Sequence, residues 1–141
     1  INYKNVDLLK ELKKACPDGV DVYFDNVGGQ ILEIVLFRMN MKGRIVCCGA
    51  VSQYDGTTPI GPRNLPGLLI VKRLKMEGFI VMDYAKEHGN AIKHLSEMNA
   101  AGDIKVTEDI TEGLENAPDA LIGLLNGDNF GKRMVRVTAD P

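Results

Sequence analysis

The part of the sequence that decides the fold is one continuous run, Val20-Asp21-Val22-Tyr23-Phe24-Asp25-Asn26-Val27-Gly28-Gly29. Its first six residues are rich in β-branched and aromatic side chains, a composition that predicts a strand over Val20–Asp25. Asn26 and the two glycines predict a turn, because these residues tolerate the backbone angles that turns require. Apolar residues then recur at helical spacing, at Ile31, Leu32, Ile34, Val35 and Met39. The run therefore predicts a strand, a turn and a helix in direct succession.

The same alternation continues on both sides of this run. Upstream, helical spacing predicts a helix that is capped by Asn5 and ends in the turn Cys16-Pro17-Asp18-Gly19. Downstream, strands are predicted at residues 44–48, 76–82, 104–110 and 133–137, and helices at 65–74, 91–98 and 118–125, the second closed by Gly102. Strands and helices that alternate with short links indicate an α/β fold with parallel strands.

Two features of this pattern concern the edges of the predicted sheet. A parallel sheet of so few strands is thin, so we expect one edge to pair with strands encoded upstream or with another copy of the chain. Residues 49–63 are rich in Gly, Pro, Thr and Ser and predict a long loop directly after a strand. Loops of that length in compact domains tend to be functional.

Length, composition and charge narrow the class of ligand. The 141 residues are 45% hydrophobic, carry a formal net charge of −2 and begin with Ile1, which suggests a domain-sized piece of a longer protein. Acidic and basic residues are mixed along the chain, so we expect a small-molecule ligand, no nucleic acid and no membrane. Cys16 and the adjacent pair Cys47 and Cys48 favour reduced, buried thiols and a cytoplasmic location.

Motifs for phosphate binding and for metal binding are absent from the sequence. No Gly-x-Gly-x-x-Gly run occurs, and Gly127-Asp128-Asn129-Phe130-Gly131-Lys132 has the wrong spacing and context for a phosphate-binding loop. That run is typical of a turn at a helix C-terminus. His88 and His94 are six residues apart in a predicted helix, and we expect both to be exposed rather than metal ligands. No metal site is predicted.

Residues 22–29, 43–54 and 127–132 carry a narrower signal. In that order they resemble the prostaglandin reductase and 2-alkenal reductase branch of the zinc-independent medium-chain dehydrogenase/reductase superfamily. The resemblance also takes in residues 1–4, 16–19 and 112–116, and so extends over almost the whole chain. Its most specific parts are Phe24-Asp25-Asn26-Val27-Gly28-Gly29 and the run from Cys48-Gly49-Ala50 to Tyr54.

The resemblance implies a fold, a cofactor and an activity. The fold would be Rossmann-type and three-layered, with this chain as the C-terminal half of a doubly wound parallel sheet. Residues 1–103 would form the second half of the NADP-binding domain, and residues 104–141 would return to the catalytic domain of the parent enzyme. The parent would use NADPH to reduce the carbon–carbon double bond of α,β-unsaturated ketones and aldehydes, and would be a homodimer. The chain alone is expected to be inactive.

The resemblance also implies which residues contact NADP: Tyr3, Asn26, Cys48, Gly49, Ala50, Val51, Ser52, Gln53, Tyr54, Phe79, Ile80, Val81 and Asn129. Tyr3 would lie toward the ribose 2′-phosphate, Asn26 near the centre of the cofactor, and residues 48–54 and 79–81 toward the nicotinamide. Each assignment has a structural alternative. Tyr3 is then an exposed aromatic residue, Asn26 a turn residue, and residues 79–81 the core of a strand.

Tyr54 is the catalytic candidate. Hydride delivery to an enone moves negative charge onto the carbonyl oxygen, and without zinc a hydroxyl must stabilise that charge. Tyr54 would donate to this oxygen directly or through the nicotinamide ribose; the alternative is an aromatic residue that only closes over the substrate. Three other identities stay open for the protein, namely a quinone oxidoreductase, a zinc alcohol dehydrogenase relative and a non-catalytic Rossmann-like binding domain.

Overall fold

The structure is a computed structural model that describes residues 1–54 and 61–139. The chain divides into two compact units, Ile1–Ala85 and Lys86–Pro141, which we call the first and second units. Both are built from parallel strands and helices, so the predicted α/β class is confirmed. Residues 55–60 of the predicted loop lie outside the described part of the chain.

The first unit contains a three-stranded parallel sheet. Its elements, in chain order, are α1 (Leu8–Ala15), β1 (Val20–Asp25), α2 (Gly29–Arg38), β2 (Met39–Cys47), α3 (Leu65–Lys72) and β3 (Lys75–Gly78). The strand order is β1-β2-β3, with every pair parallel. Short 3-10 helices cover Tyr3–Asn5, Val51–Gln53 and Val81–Glu87. The decisive run therefore folds as predicted, with β1 at its predicted bounds.

The core of the first unit lies between α2 and the sheet. Its buried residues are Leu32, Val35, Leu36, Met39 and Ile45. Leu36 on α2 and Ile45 on β2 expose only 0% and 1% of their surface, so both side chains are removed from water on folding. Burial of apolar surface of this kind is the main favourable term that holds such a helix against a sheet.

Two basic side chains hold the ends of the helices in the first unit. Nζ of Lys72, the last residue of α3, donates to the carbonyl oxygens of Leu36, Phe37 and Met39 at 3.2, 2.8 and 2.8 Å. The C-terminal carbonyls of α2 thus find a cationic donor that they lack within the helix. Nη2 of Arg38 donates to the Cys16 carbonyl at 2.7 Å, beyond the end of α1. Burial and the nearby Arg38 charge lower the pKa of Lys72.

The second unit contains α4 (His88–Ala101), β4 (Glu108–Glu112), α5 (Ala117–Asn126) and β5 (Lys132–Arg136). β4 and β5 form a two-stranded parallel sheet. Gly102 ends α4 and Gly127 ends α5, both in the left-handed conformation. The prediction that residues 127–132 begin with a helix C-terminal turn is therefore confirmed. Among the described residues of this unit, Ala120 is the one buried hydrophobic side chain.

Several predicted boundaries are wrong. Asp7, not Asn5, caps α1, because its carboxylate accepts from the Lys10 amide at 3.1 Å. β2 begins at Met39, and β3 ends at Gly78, since β2 offers β3 partners only from Arg44 to Cys47. Ile104 and Val106 precede β4, whose five residues are those that find partners on β5.

Candidate functional site

The carboxyl ends of the three parallel strands meet at one edge of the first unit. Asp25 at the end of β1 pairs with Cys47 at the end of β2, which in turn pairs with Gly78 at the end of β3. Asn26, Cys48 and Phe79 follow these strands directly, so the three sequence-predicted segments begin side by side. In open parallel sheets, ligands bind outside this edge. We call it the carboxyl edge.

The turn after β1 is held by Asp25, a residue that sequence reasoning did not select. Its side chain is 2% exposed, and its Oδ1 accepts hydrogen bonds from the Tyr23 hydroxyl at 2.9 Å, the Val27 amide at 3.0 Å and the Gly28 amide at 2.9 Å. Burial, the hydrogen bond to Asp25 and the charges of Asp25 and Cys47 raise the pKa of Tyr23. The signal that could have indicated this role is a carboxylate at the end of a strand, directly before Asn-x-Gly.

Asn26 lies at the tip of this turn. Its side chain is exposed, and within residues 1–54 and 61–139 its amide has no hydrogen-bond partner. Its backbone carbonyl is occupied, because it accepts from the Val51 amide at 3.1 Å. Asn26 is thus a turn residue, as the structural alternative states, but the Asp25 carboxylate holds the turn and leaves the Asn26 amide exposed.

The described part of the loop after β2 is fastened to the same turn. The Cys48 and Gly49 amides donate to the Asp25 carbonyl at 2.8 and 3.1 Å. The Ser52 amide and hydroxyl both donate to the Val27 carbonyl, at 3.1 and 2.6 Å. The turn and the loop thus form one continuous surface at the carboxyl edge.

Tyr54 folds back over this loop. Its hydroxyl oxygen accepts a hydrogen bond from the Ala50 amide at 3.3 Å, and the residue is 69% exposed. A Cβ atom added to Gly49 would lie 3.3 Å from that hydroxyl and 3.2 Å from the Asn26 carbonyl oxygen, closer than most Cβ contacts. Glycine is therefore the residue that lets the tyrosine approach its own loop. Because the hydroxyl accepts from Ala50, its own hydrogen is left to donate elsewhere.

Phe79, Ile80 and Val81 follow β3 instead of belonging to it, which corrects the sequence prediction. The Phe79 amide donates to the Cys47 carbonyl at 3.2 Å and ends the ladder. Ile80 and Val81 are 57% and 55% exposed, so they are not core residues in the first unit. The ring of Phe79 contacts those of Phe24 and Tyr84, each with 5.8 Å between ring centroids, beside a cleft of about 370 Å³.

Tyr3 lies in the first unit, next to α2. It belongs to the 3-10 helix Tyr3–Asn5 and is 52% exposed. Together with Gln30, Ile31 and Ile34 of α2 it lines a shallow cleft of about 260 Å³. Tyr3 therefore lines a cleft of a size that could take part of a ligand. Its exposure is equally consistent with the structural alternative, in which Tyr3 is simply an exposed aromatic residue.

Asn129 belongs to the second unit. Its Nδ2 donates to the Gly131 carbonyl at 2.7 Å, so the amide helps to shape its own turn. That turn is tied to β4 by Asp109, whose Oδ2 accepts from the Phe130 amide at 3.1 Å and from Nε and Nη2 of Arg133 at 3.1 and 2.8 Å. The Phe130 hydrogen bond and the Arg133 charge lower the pKa of Asp109.

The described residues also bear on metal binding, on the state of the thiols and on membrane crossing. No group of three or more His, Cys, Asp or Glu residues there could hold a metal ion. The three cysteines are free, but Cys16 and Cys47 are only half-buried and Cys48 is exposed, so the expectation of buried thiols is wrong. His88 and His94 are both exposed, as expected. None of the helices in residues 1–54 and 61–139 is long and apolar enough to cross a bilayer.

A parallel sheet with polar groups gathered at its carboxyl edge is typical of a Rossmann-type domain, and a solved structure agrees. The structure of CurA in complex with NADPH from Vibrio vulnificus superposes with a TM-score of 0.87 at 41% sequence identity, over 99% of this chain and 43% of that one. Residues 1–97 match the zinc-binding dehydrogenase family. The chain belongs to that family, within the medium-chain dehydrogenase/reductase superfamily.

Curated relatives confirm the branch that the motifs indicated. The chain is 44% identical to the 2-alkenal reductase (NADP(+)-dependent) of Nicotiana tabacum, over 99% of this chain and 40% of the relative. It is also 44% identical to prostaglandin reductase 1 of Bos taurus, over 96% of this chain and 42% of the relative. The chain thus spans about two fifths of the length of these relatives.

Proposed function

We propose that this chain is the cofactor-binding portion of a reductase that uses NADPH to reduce the carbon–carbon double bond of α,β-unsaturated ketones and aldehydes. The observation that carries the proposal is the carboxyl edge, where the ends of three parallel strands bring Asn26, residues 48–54 and Phe79 together. The similarity to alkenal and prostaglandin reductases supports the substrate class, and the NADPH complex of CurA supports the cofactor.

The residues at this edge fit the uncharged half of such a cofactor. Asn26 offers an exposed amide that has no partner within the described residues, and amides suit hydroxyl and carboxamide groups. The backbone of residues 48–54 is fixed beside it and needs glycine at position 49. A Gly-x-Gly-x-x-Gly turn for the phosphates does not occur among the 141 residues. We therefore assign this edge to the nicotinamide and its ribose.

The proposed contacts with NADP are those of the family motifs. Asn26 binds near the centre of the cofactor, the backbone of Cys48, Gly49, Ala50, Val51, Ser52 and Gln53 lies along the nicotinamide half, and Phe79, Ile80 and Val81 follow on the next strand end. Tyr3 contacts the 2′-phosphate side, and Asn129 is a further proposed contact with the cofactor. In this proposal residues 1–103 belong to the NADP-binding domain and residues 104–141 return to the catalytic domain.

Tyr54 has the properties of the proton or hydrogen-bond donor. NADPH, when bound, supplies a hydride, and the enone carbonyl oxygen then gains negative charge that must be stabilised. The Ala50 amide donates to the Tyr54 hydroxyl at 3.3 Å and orients it without using its hydrogen. Because the side chain is 69% exposed, a substrate at the carboxyl edge has access to that hydrogen.

The sheet edges and the cysteines of this chain support a proposal for the assembly and the location of the parent. Within the described residues, β1 and β3 each have one edge without a partner strand, and such edges invite pairing. We propose that strands encoded upstream or another copy of the chain cover one of these edges, and that the parent is a homodimer. Free cysteines, with Cys48 exposed, favour a reducing compartment such as the cytoplasm. The partner in the reaction is a small enone or enal.

Two substitutions in the full-length reductase test the proposal. Tyr54→Phe is expected to lower kcat for an α,β-unsaturated ketone by about 100-fold or more, with little change in the NADPH Kd, because the hydroxyl acts where charge develops. Asn26→Ala is expected to weaken NADPH binding by about tenfold. Steady-state kinetics measure kcat, and separate titrations measure the NADPH Kd. A quinone offered as a second substrate tests the alternative that the parent is a quinone oxidoreductase. Turnover that stays within about twofold in Tyr54→Phe would remove the catalytic role.

A further inference from the structure

Asp25 connects two of the proposed cofactor-binding segments without being part of either. Its carboxylate Oδ1 accepts from the Val27 and Gly28 amides, at 3.0 and 2.9 Å, and so fixes the residues on the far side of Asn26. Its backbone carbonyl accepts from the Cys48 and Gly49 amides, at 2.8 and 3.1 Å, and so fixes the start of the next loop. One residue thus sets the positions of both segments.

Further hydrogen bonds at two positions connect the turn after β1 to the loop after β2. The Asn26 carbonyl accepts from the Val51 amide at 3.1 Å, and the Val27 carbonyl accepts from the Ser52 amide and hydroxyl. A displacement of the turn would therefore move residues 48–52 with it. Since residues 51–53 lead directly to Tyr54, the position of the turn also affects the position of the Tyr54 hydroxyl.

Tyr23 keeps the carboxylate in place from inside the fold. Its ring packs against the core cluster of Leu32, Val35, Leu36, Met39 and Ile45, and its hydroxyl donates to Asp25 Oδ1 at 2.9 Å. Asp25 is 2% exposed, so water offers no substitute for this donor. Tyr23 itself follows Val22 on β1 and lies below the carboxyl edge.

The charge of Asp25 also bears on which half of a dinucleotide suits this edge. The Val27 and Gly28 amides just before α2 are already occupied by a carboxylate. A buried negative charge repels a phosphate group strongly, but it does not repel an uncharged amide or hydroxyl. This arrangement is suited to a carboxamide or ribose and unsuited to the pyrophosphate.

We propose that Asp25 and Tyr23 are positioning residues, which hold the Asn26 amide and residues 48–52 in place for the nicotinamide half of NADPH. This inference rests on the proposed function, because it needs Asn26 to bind the cofactor. Neither residue touches the cofactor in this proposal. Their effect passes through the turn.

The test is a double-mutant cycle on the NADPH Kd of the full-length reductase. Tyr23→Phe removes one hydroxyl and keeps the ring in the core, so the variant is expected to fold. It should weaken NADPH binding about fivefold and Asn26→Ala about tenfold. The double variant should weaken it clearly less than the product of these two factors, because part of the Tyr23 effect acts through the Asn26 amide. Asp25→Asn removes the charge, and Asp21→Asn is its matched control on the same strand, at an exposed site that contacts Asn40.

A second readout does not depend on the cofactor. In the chain without NADPH, Tyr23→Phe and Asp25→Asn should speed hydrogen exchange at the Val27, Gly28, Val51 and Ser52 amides, while Asp21→Asn should leave these rates unchanged. Faster exchange at all four amides together with the non-additive cycle supports the proposal.

Three results overturn it. Additive effects on Kd would mean that Tyr23 does not act through the Asn26 amide, and a lower Tm with unchanged Kd in Tyr23→Phe would mean that the pair serves stability alone. Either of these two results would leave the proposed function intact. If Asn26→Ala binds NADPH as tightly as the wild type, the proposed cofactor contact fails first, and the positioning role fails with it.

Discussion

Each unit of the chain uses one aspartate to hold a glycine-bearing turn against a parallel strand, but the two turns are held by different electrostatics. Asp25 is 2% exposed and is paired with a neutral tyrosine and two backbone amides. Asp109 has a side chain that is 28% exposed and is paired with the Arg133 guanidinium and one backbone amide. A buried carboxylate is satisfied here by neutral donors, and a half-exposed one by an ion pair.

The difference in burial indicates that the turn of the first unit depends more on its aspartate than the turn of the second unit does. A buried acceptor leaves its donors without water when it is removed, whereas donors at a half-exposed site can turn to solvent. The first unit also has a core of five buried residues around Leu36, while the two-stranded sheet of the second unit has little core of its own. We expect the two turns to respond differently to truncation, to pH and to salt.

The largest expected effect is the loss of Asp25. Asp25→Ala leaves the Tyr23 hydroxyl and the Val27 and Gly28 amides without an acceptor in a buried place, and should lower the free energy of unfolding by about 3 kcal/mol. Asp109→Ala should lower it by much less. Urea unfolding of both variants measures the difference, with Asp21→Ala as control. Equal losses would show that burial does not separate the two turns.

The glycines of the two turns give the next effect. Gly28 and Gly131 have φ values of +68° and +92°, and alanine at either position should lower the free energy of unfolding by about 2 kcal/mol through backbone strain. Gly131→Ala should lose more, because its Cβ would lie 2.3 Å from the Thr107 carbonyl oxygen, whereas that of Gly28 would lie 3.4 Å from Ala50 Cβ. Urea unfolding checks the order, and a larger loss in Gly28→Ala would contradict it.

These two turns also mark how far the sequence alone could be taken. β1 was predicted at its observed bounds because β-branched and aromatic residues run up to a clear turn signal, and Gly127 was recognised from its place after a helix. The end of β3 was missed because strand length depends on partners, and β2 offers only four. Ile80 and Val81 were assigned to a strand for the same reason.

The site residues divide in a similar way. Asn26 and residues 48–54 were selected by motif, and their adjacency follows from the rule that parallel strands end at one edge. Asp25 was missed because an acidic residue beside a turn is usually exposed. Its burial depends on a hydroxyl from Tyr23 two residues earlier, a contact that composition and periodicity do not reveal.

The response to alkaline pH should single out the first turn. The raised pKa of Tyr23 means that the folded chain keeps a proton that the unfolded chain releases near pH 10. The stability contributed by the Tyr23–Asp25 pair is therefore fully present below about pH 10 and is lost as the pH rises further. Tyr23→Phe should flatten the fall in unfolding free energy above that pH. Denaturant unfolding in a pH series tests this, with Tyr84→Phe as the control.

The smallest expected effect is at the second turn, and it has the opposite sign with pH. The lowered pKa of Asp109 means that its carboxyl group stays ionised in the folded chain at a pH near 4, where the same group takes up a proton in the unfolded chain. Stability from the Asp109–Arg133 pair is thus present above about pH 4 and is lost as the pH falls through the lowered pKa. Because the pair is partly exposed, added salt should weaken it, while the Tyr23–Asp25 bond should not respond.

Hydrogen exchange at the Phe130 amide between pH 3 and 6, at low and high salt, separates the two turns, and Asp103→Asn serves as a control for general loss of charge. An Asp109→Asn variant whose Phe130 amide exchanges with the same dependence on pH and salt as the wild type would show that the ion pair does not hold this turn.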